Sequence, residues 1–196
     1  RHLVIRAIPE IATQIAELKT GGVDIIRNVS ADLVPELKTH AQTYVSSAPI
    51  LRVHYVEFDM RHPPFDKKLV RQAANWAVDK EAIIQKMMAG LGRQVATVVQ
   101  PPAFGHDAEV KPYGYDPKKA KELLAQAGYA NGVDVTLHSA FVEFRPVFEA
   151  ICQMLTEVGI RTTPKMWDPG PAWNKFFQTE GKATNGYYGS WGNYSV

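Results

Sequence analysis

The chain has almost no cysteine, almost no net charge and no long apolar run. Cys152 is the only cysteine in 196 residues. A lone thiol can make neither an intramolecular disulfide nor a cysteine-based zinc site, so it says nothing about redox compartment. Within its helical apolar pattern it reads as a small buried hydrophobe. No apolar stretch reaches the length a transmembrane helix needs, and no basic segment followed by an apolar one opens the chain. Lys and Arg number 22 against 20 Asp and Glu, a net charge of +2. Phosphate binding needs a clustered positive field, so this balance argues against a nucleic-acid partner. With 14 Gly and 13 Pro, collagen-like and low-complexity readings also fall away. Nucleophile-elbow, zinc-protease, phosphate-loop and dinucleotide-fold signatures are all missing. The six His are scattered, and His54 and His62 lie too far apart for a shared metal. No metal or cofactor is expected.

What is present is an ordinary globular composition, 45% hydrophobic and 21% charged. A chain of this length buries roughly 70% of its unfolded surface, enough for a substantial core. The pattern alternates strands and helices. Residues 3–8 read as a strand, Ile11, Ile15 and Leu18 mark a helix stopped by Gly21-Gly22, and 23–29 read as a second strand. A short helix runs to about His40 with Pro35 in its first turn. Residues 50–58 alternate as a strand. After Pro63-Pro64, Asp66 is expected to cap one long helix over 67–89, with Asp79 and Lys80 on its solvated face. Arg71 is expected to pair with Asp79 or a backbone carbonyl. Residues 93–115 read as a long loop. Asp116-Pro117 is a cap followed by proline at the first helical position, and Gly128 closes that helix. A strand at 133–139, a helix at 144–158, a strand at 160–167, an aromatic-rich helix at 170–180 and a strand at 186–192 complete an α/β chain.

Between residues 59 and 89 the sequence becomes specific. Pro63-Pro64-Phe65-Asp66, Val70-Arg71-Gln72-Ala73, Ala77-Val78-Asp79-Lys80 and Ile83-Ile84 form one ordered set. Tyr115-Asp116-Pro117-Lys118-Lys119-Ala120, Ala127-Gly128-Tyr129, Val158-Gly159-Ile160 and Gly189-Ser190-Trp191-Gly192 continue it, and Leu18 to Ile25 precede it. This set resembles the family 5 solute-binding proteins, the peptide- and nickel-binding receptors of ABC importers. Asp59 departs from that pattern, where the family commonly has Asn, and so does Lys68.

The resemblance implies a periplasmic-binding-protein-like α/β fold, with a mixed sheet flanked by helices and part of a second α/β lobe. Residues 1–48 would end the first lobe, a hinge crossing would lie near 49–51, and 49–196 would form most of the second lobe. The chain begins at Arg1 and ends at Val196, as expected for a piece of a longer protein whose signal peptide lies elsewhere. The implied function is capture of a peptide-like or small polar solute in an interlobe cleft and delivery to ABC permease subunits. The receptor would be monomeric and periplasmic, or extracellular and lipid-anchored. It would do no chemistry on the solute. The alternatives are a hydrolase using a similar cleft and a protein-interaction domain.

For the site, Tyr188, Trp191 and Tyr194 lie at a strand exit, where α/β sheets place ligands, and Asn193 sits among them. In the family the matching Trp-Gly segment lines the cleft. Strand alternation puts Trp191 and Gly189 on one face and Tyr188 and Ser190 on the other. Arg145, at a helix start after a strand, could meet a solute carboxylate; the competing reading is a solvated helix-end charge. Glu57, in the crossing strand, is a candidate for a solute amine. Phe176 and Phe177 read as core or lobe surface.

Overall fold

The structure, a computed structural model, describes residues 2–30, 32–48, 50, 52–99, 101, 104–178 and 185–192. It divides into two compact units, Arg1–Pro49 and Ile50–Val196.

In the first unit, α1 (Ile11–Thr20) buries Ile15, and α2 (Val34–Thr39) buries Leu37. Gly21 adopts φ +77°, a left-handed exit that costs glycine little. This lets the Gly22 N–H return to the Glu17 carbonyl at 2.7 Å. Arg6 Nη1 donates to Glu17 Oε2 at 3.0 Å, and Lys19 pairs with Glu36. The strands expected at 3–8 and 23–29 do not form ladders among the described residues. A strand is defined by its partner, and apolar alternation supplies only half of that definition. Leu3, Val4, Ile5 and Ile25 are accordingly at least 79% exposed.

The second unit is built on four strands: β1 (Arg52–Phe58), β2 (Val133–Ser139), β3 (Ile160–Met166) and β4 (Gly186–Gly192), in the order β1-β4-β2-β3. β2 pairs parallel with β3 and β4, while β1 pairs antiparallel with β4. The sheet is mixed, as the resemblance implies. One face packs on α3 (Lys68–Ala77), α5 (Pro117–Gln126) and α6 (Arg145–Glu157) through Phe65, Val70, Leu124, Leu137, Phe148 and Leu155. Each such side chain contributes about 1.5–3 kcal/mol on burial. Cys152 lies in this core, and burial pushes its thiol up to about 12, an inert state.

The expected long helix is two. α3 stops at Ala77, Val78 is extended, and α4 (Lys80–Met87) begins behind Asp79. The Asp79 carboxylate accepts from the Ala82 N–H at 2.9 Å, so it caps α4 instead of facing solvent. Lys80 Nζ donates to the Asn75 carbonyl at 2.8 Å, supplying a donor at the end of α3, where carbonyls lack helical partners. Burial holds Lys80 below its ordinary value, with Asp79 opposing. Asp66 caps nothing: Lys67 occupies the position before α3 and makes no side-chain cap. Instead, Arg71 Nη1 ties the turn through the carbonyls of Phe65 (2.7 Å) and Asp66 (2.9 Å). The expected cap at Asp116 is present, accepting from the Lys119 N–H at 3.0 Å.

Candidate functional site

The carboxyl ends of β2, β3 and β4 lie at one end of the sheet, together with the start of antiparallel β1. β2 pairs with β4 only at Leu137–Gly186 and His138–Tyr187, and it stops at Ser139. β4 continues to Gly192 against β1 alone, so its last residues run past the end of β2 as a two-stranded ribbon.

Alternation divides the ribbon's side chains between two faces. On the helical face, Tyr188 is 1% exposed and packs with Phe148 at a ring separation of 5.8 Å and with Phe141 at 6.3 Å. Its hydroxyl lies 3.0 Å from His54 Nδ1, and the His54 ring lies 4.1 Å from that of Phe144. Burial, and secondarily the charge of Glu143, push the Tyr188 phenol well above its usual value. Burial, with help from Arg52, holds His54 below its own. The reading of Tyr188 as a solute contact is therefore corrected: its ring is core, because its face is the one the helices cover.

On the other face, Glu57, Tyr55 and Val53 stand opposite Tyr187, Gly189 and Trp191. Tyr187 donates to Glu57 Oε2 at 2.7 Å. α7 (Pro171–Gln178) covers part of this face. Phe176, 1% exposed, stacks on His138 at 4.6 Å and on Trp173 at 4.8 Å, and Trp173 meets Tyr187 edge-on at 6.1 Å. Trp167 Nε1 donates to His138 Nδ1 at 2.9 Å. Trp191 stands beyond this layer, 63% exposed, and its side chain makes no hydrogen bond or ring contact with a described residue. Gly189, on the same face, is covered by Tyr187: a Cβ there would approach the Tyr187 ring to 3.1 Å.

Glu57 is exposed on this face and already accepts one hydrogen bond. Arg145 is exposed at the start of α6, and its side chain has no partner among the described residues. The structure thus brings Glu57 and Trp191 to one sheet face and puts Arg145 in the turn that follows β2. Asn193 and Tyr194 lie outside the described residues, as does the side chain of Phe177.

The sequence reading passed over an open pocket of 280 Å³ at the ends of β2 and β3, lined by Ala140, Phe141, Val142, Glu143, Pro169 and Trp173. Its signal was available: residues 140–143 follow directly on the carboxyl end of a strand, the kind of edge where α/β sheets place ligands. Among the described residues no three His, Cys, Asp or Glu gather to hold a metal ion, and no helix is long and apolar enough to cross a membrane.

Comparison with known proteins accords with this architecture. The model of the bacterial extracellular solute-binding proteins, family 5, matches residues 1–195. Heme-binding protein A of Haemophilus influenzae is 31% identical over 196 residues, covering 96% of this chain and 35% of that protein. The glutathione-binding protein GsiB of Escherichia coli is 30% identical over 179 residues, 90% of this chain and 34% of its own length. The chain therefore spans about a third of the length of these relatives. Among solved structures, the periplasmic binding protein DppA of Helicobacter pylori, in complex with the peptide STSA, superposes with a TM-score of 0.81 at 26% identity, over 95% of this chain and 36% of that one. With its mixed sheet and helical layer, and with the family pattern matched from residue 1 to residue 195, this chain belongs to the bacterial extracellular solute-binding proteins of family 5.

Proposed function

We propose that this chain is part of a solute receptor of an ABC importer, which captures a peptide-like or small polar solute outside the cytoplasmic membrane and delivers it to the permease. The observation that carries the reading is the family match along residues 1–195. The relatives named above are described by heme, glutathione and a peptide, and two of those three are peptide-like. Residues 1–48 and 49–196 contribute to different lobes of the full-length receptor, which is monomeric and either periplasmic or lipid-anchored.

The solute is held at the carboxyl-end edge of the second unit. Trp191 offers an indole face, Arg145 a donor for a carboxylate and Glu57 an acceptor for an amine, with Asn193 and Tyr194 next along the chain. A rigid aromatic face gains contact area at low conformational cost. The site binds and releases without altering covalent bonds, and lobe closure biased by solute is its working step.

The test is native purification of the full-length protein followed by denaturation and mass spectrometry of whatever is released, with calorimetry against glutathione and a dipeptide panel. A recovered peptide-like solute that rebinds and is returned unchanged supports the reading. Turnover of the solute, or failure of every small molecule to bind, overturns it.

A further inference from the structure

We infer that β1 has a second partner in the full-length receptor: an extended segment of the same polypeptide, from outside residues 1–196, pairs along its free edge. The inference rests on the family membership and is independent of which solute is bound.

β1 and β3 are the two outer strands of the sheet, and their free edges differ chemically. At the end of β3 the Trp167 N–H donates to the Ser139 carbonyl at 2.8 Å, and at its start the Gly159 carbonyl accepts from the Val133 N–H at 2.9 Å. In a parallel ladder, alternate residues of one strand make the bonds. Alternate residues from Gly159 to Trp167 therefore face β2, and Ile160, Thr162, Pro164 and Met166 face out. That outer row is closed off locally. The Thr162 N–H donates to Thr156 Oγ1 at 3.0 Å, Thr162 Oγ1 donates to the Ile160 carbonyl at 2.8 Å, and Pro164 has no N–H. Such devices keep a sheet edge from recruiting another strand.

β1 has none of them. Its register against β4 runs without a bulge from Arg52–Gly192 to Phe58–Gly186, and the Asp59 N–H continues it by donating to the Asn185 carbonyl at 2.9 Å. Antiparallel bonding alternates, so Val53, Tyr55 and Glu57 share the orientation of Asp59 and bond to β4. Arg52, His54, Val56 and Phe58 turn their N–H and C=O groups outward, and none of these backbone groups meets a hydrogen-bond partner among the described residues. No proline or lysine interrupts residues 52–58. Val56 and Phe58 pack on the core and the His54 ring lies against Phe144, so the edge is fixed in place.

Open donors and acceptors on an anchored strand are a template for one more strand. The occupant follows from chain length. This chain covers 35% and 34% of the two relatives named above, so most of each lies outside the matched part. A segment of the same polypeptide meets the edge at high effective concentration, ahead of a second copy. Pairing on both sides makes β1 an inner strand. It also steadies Val53 and Glu57, which stand opposite Trp191 and Tyr187.

The test is amide hydrogen exchange, read residue by residue by NMR on perdeuterated full-length receptor stripped of solute by unfolding and refolding. The outward amides of His54, Val56 and Phe58 should exchange at least about a hundredfold more slowly than unstructured amides, as the inward amides of Val53, Tyr55 and Glu57 do. Amide–amide NOEs from His54 or Val56 should lead to a segment outside residues 1–196. Fast exchange at the three outward amides overturns the inference, and so do NOEs that lead to a segment within residues 1–196. Protection that appears only on adding glutathione or a dipeptide gives the edge to the solute and overturns it. Protection lost on dilution to monomer gives the edge to a second copy, with the same consequence.

Discussion

Tyr187 and Glu57 stand directly opposite in the β1–β4 ladder, and the phenol donates to Glu57 Oε2 at 2.7 Å. Burial first, and this carboxylate second, push the phenol well above its usual value, so it remains a donor at any physiological pH. The contact pins the open face of the sheet beside α7. Replacing Tyr187 by Phe should cost about 0.5–1.5 kcal/mol, since the pair is only partly screened from water. That loss corresponds to a fall of about 1–6 °C in Tm for a unit of this size. Thermal denaturation followed by circular dichroism checks it; an unchanged Tm would show that Glu57 is as well satisfied by water.

Asp79→Ala should destabilise by about 1 kcal/mol through loss of the cap on α4, whereas Asp66→Ala should stay within about 0.5 kcal/mol. Urea titrations of the two variants separate them. Here the sequence misled. The apolar period runs unbroken through 67–89, because α3 and α4 both face the core, so periodicity alone reports one helix. The carboxylate that ends the run was visible, but whether an Asp interrupts a helix or sits on its outer face depends on Lys80. That side chain turns back to the Asn75 carbonyl and makes the break tolerable.

Elsewhere the second unit was legible almost residue by residue, since caps, glycine exits and strand alternation agree with one another at each element. Strands 133–139 and 186–192 lie where their patterns place them. The period-2 pattern also showed that Tyr188 and Trp191 occupy opposite faces, so they could not both meet one solute from the same side. What it could not show is which face the helices cover, because that choice is made by distant residues such as Phe148 and Leu137. In the first unit the strands expected at 3–8 and 23–29 form no ladder among the described residues, because ladder pairing needs a partner that sequence pattern does not name.

His54 makes stability depend on pH. The folded state prefers the neutral ring, mainly because it is buried, with Arg52 adding and Glu143 opposing. Above its ordinary value of 6.5, His54 is neutral in both states and contributes no slope. As pH falls below 6.5 the unfolded chain takes up the proton first, and stability is lost until the folded ring titrates as well. Between about pH 7.5 and about pH 5.5 the wild type should therefore lose more Tm than His54→Gln, whose amide does not titrate in this window. Parallel slopes for the two proteins would remove His54 from the account.

Gly186 is required by contact rather than by conformation. A Cβ built there would stand 2.1 Å from the Glu57 carbonyl oxygen and 3.2 Å from Phe58 Cα, both backbone atoms of the paired strand. Neither can swing aside as a side chain does. Gly186→Ala should cost about 1–3 kcal/mol, because β1 and β4 must separate to admit a methyl group. The same substitution at Gly189 meets the edge of the Tyr187 ring at 3.1 Å, which can yield, so Gly189→Ala should cost clearly less. Equal midpoints for the two variants in urea would contradict this ordering.

Trp191→Ala should separate binding from stability. The indole is 63% exposed and touches no other described ring. Truncation therefore removes little buried area and leaves no cavity of the kind that makes core deletions costly. The register partner of Trp191 is Val53, on the face away from the helical core, so the ladder itself is unaffected. In the full-length receptor the variant should melt within about 0.5 kcal/mol of wild type. Solute affinity should fall by about tenfold or more if the ring is a principal contact, since aromatic anchors dominate binding energy where they do contact a ligand. Intrinsic fluorescence supplies a second readout, because solute stacking on an exposed indole changes its environment. A variant that binds solute with wild-type affinity would remove Trp191 from the site. One that unfolds would mean the ring is covered in the full-length receptor by residues other than those described for this chain.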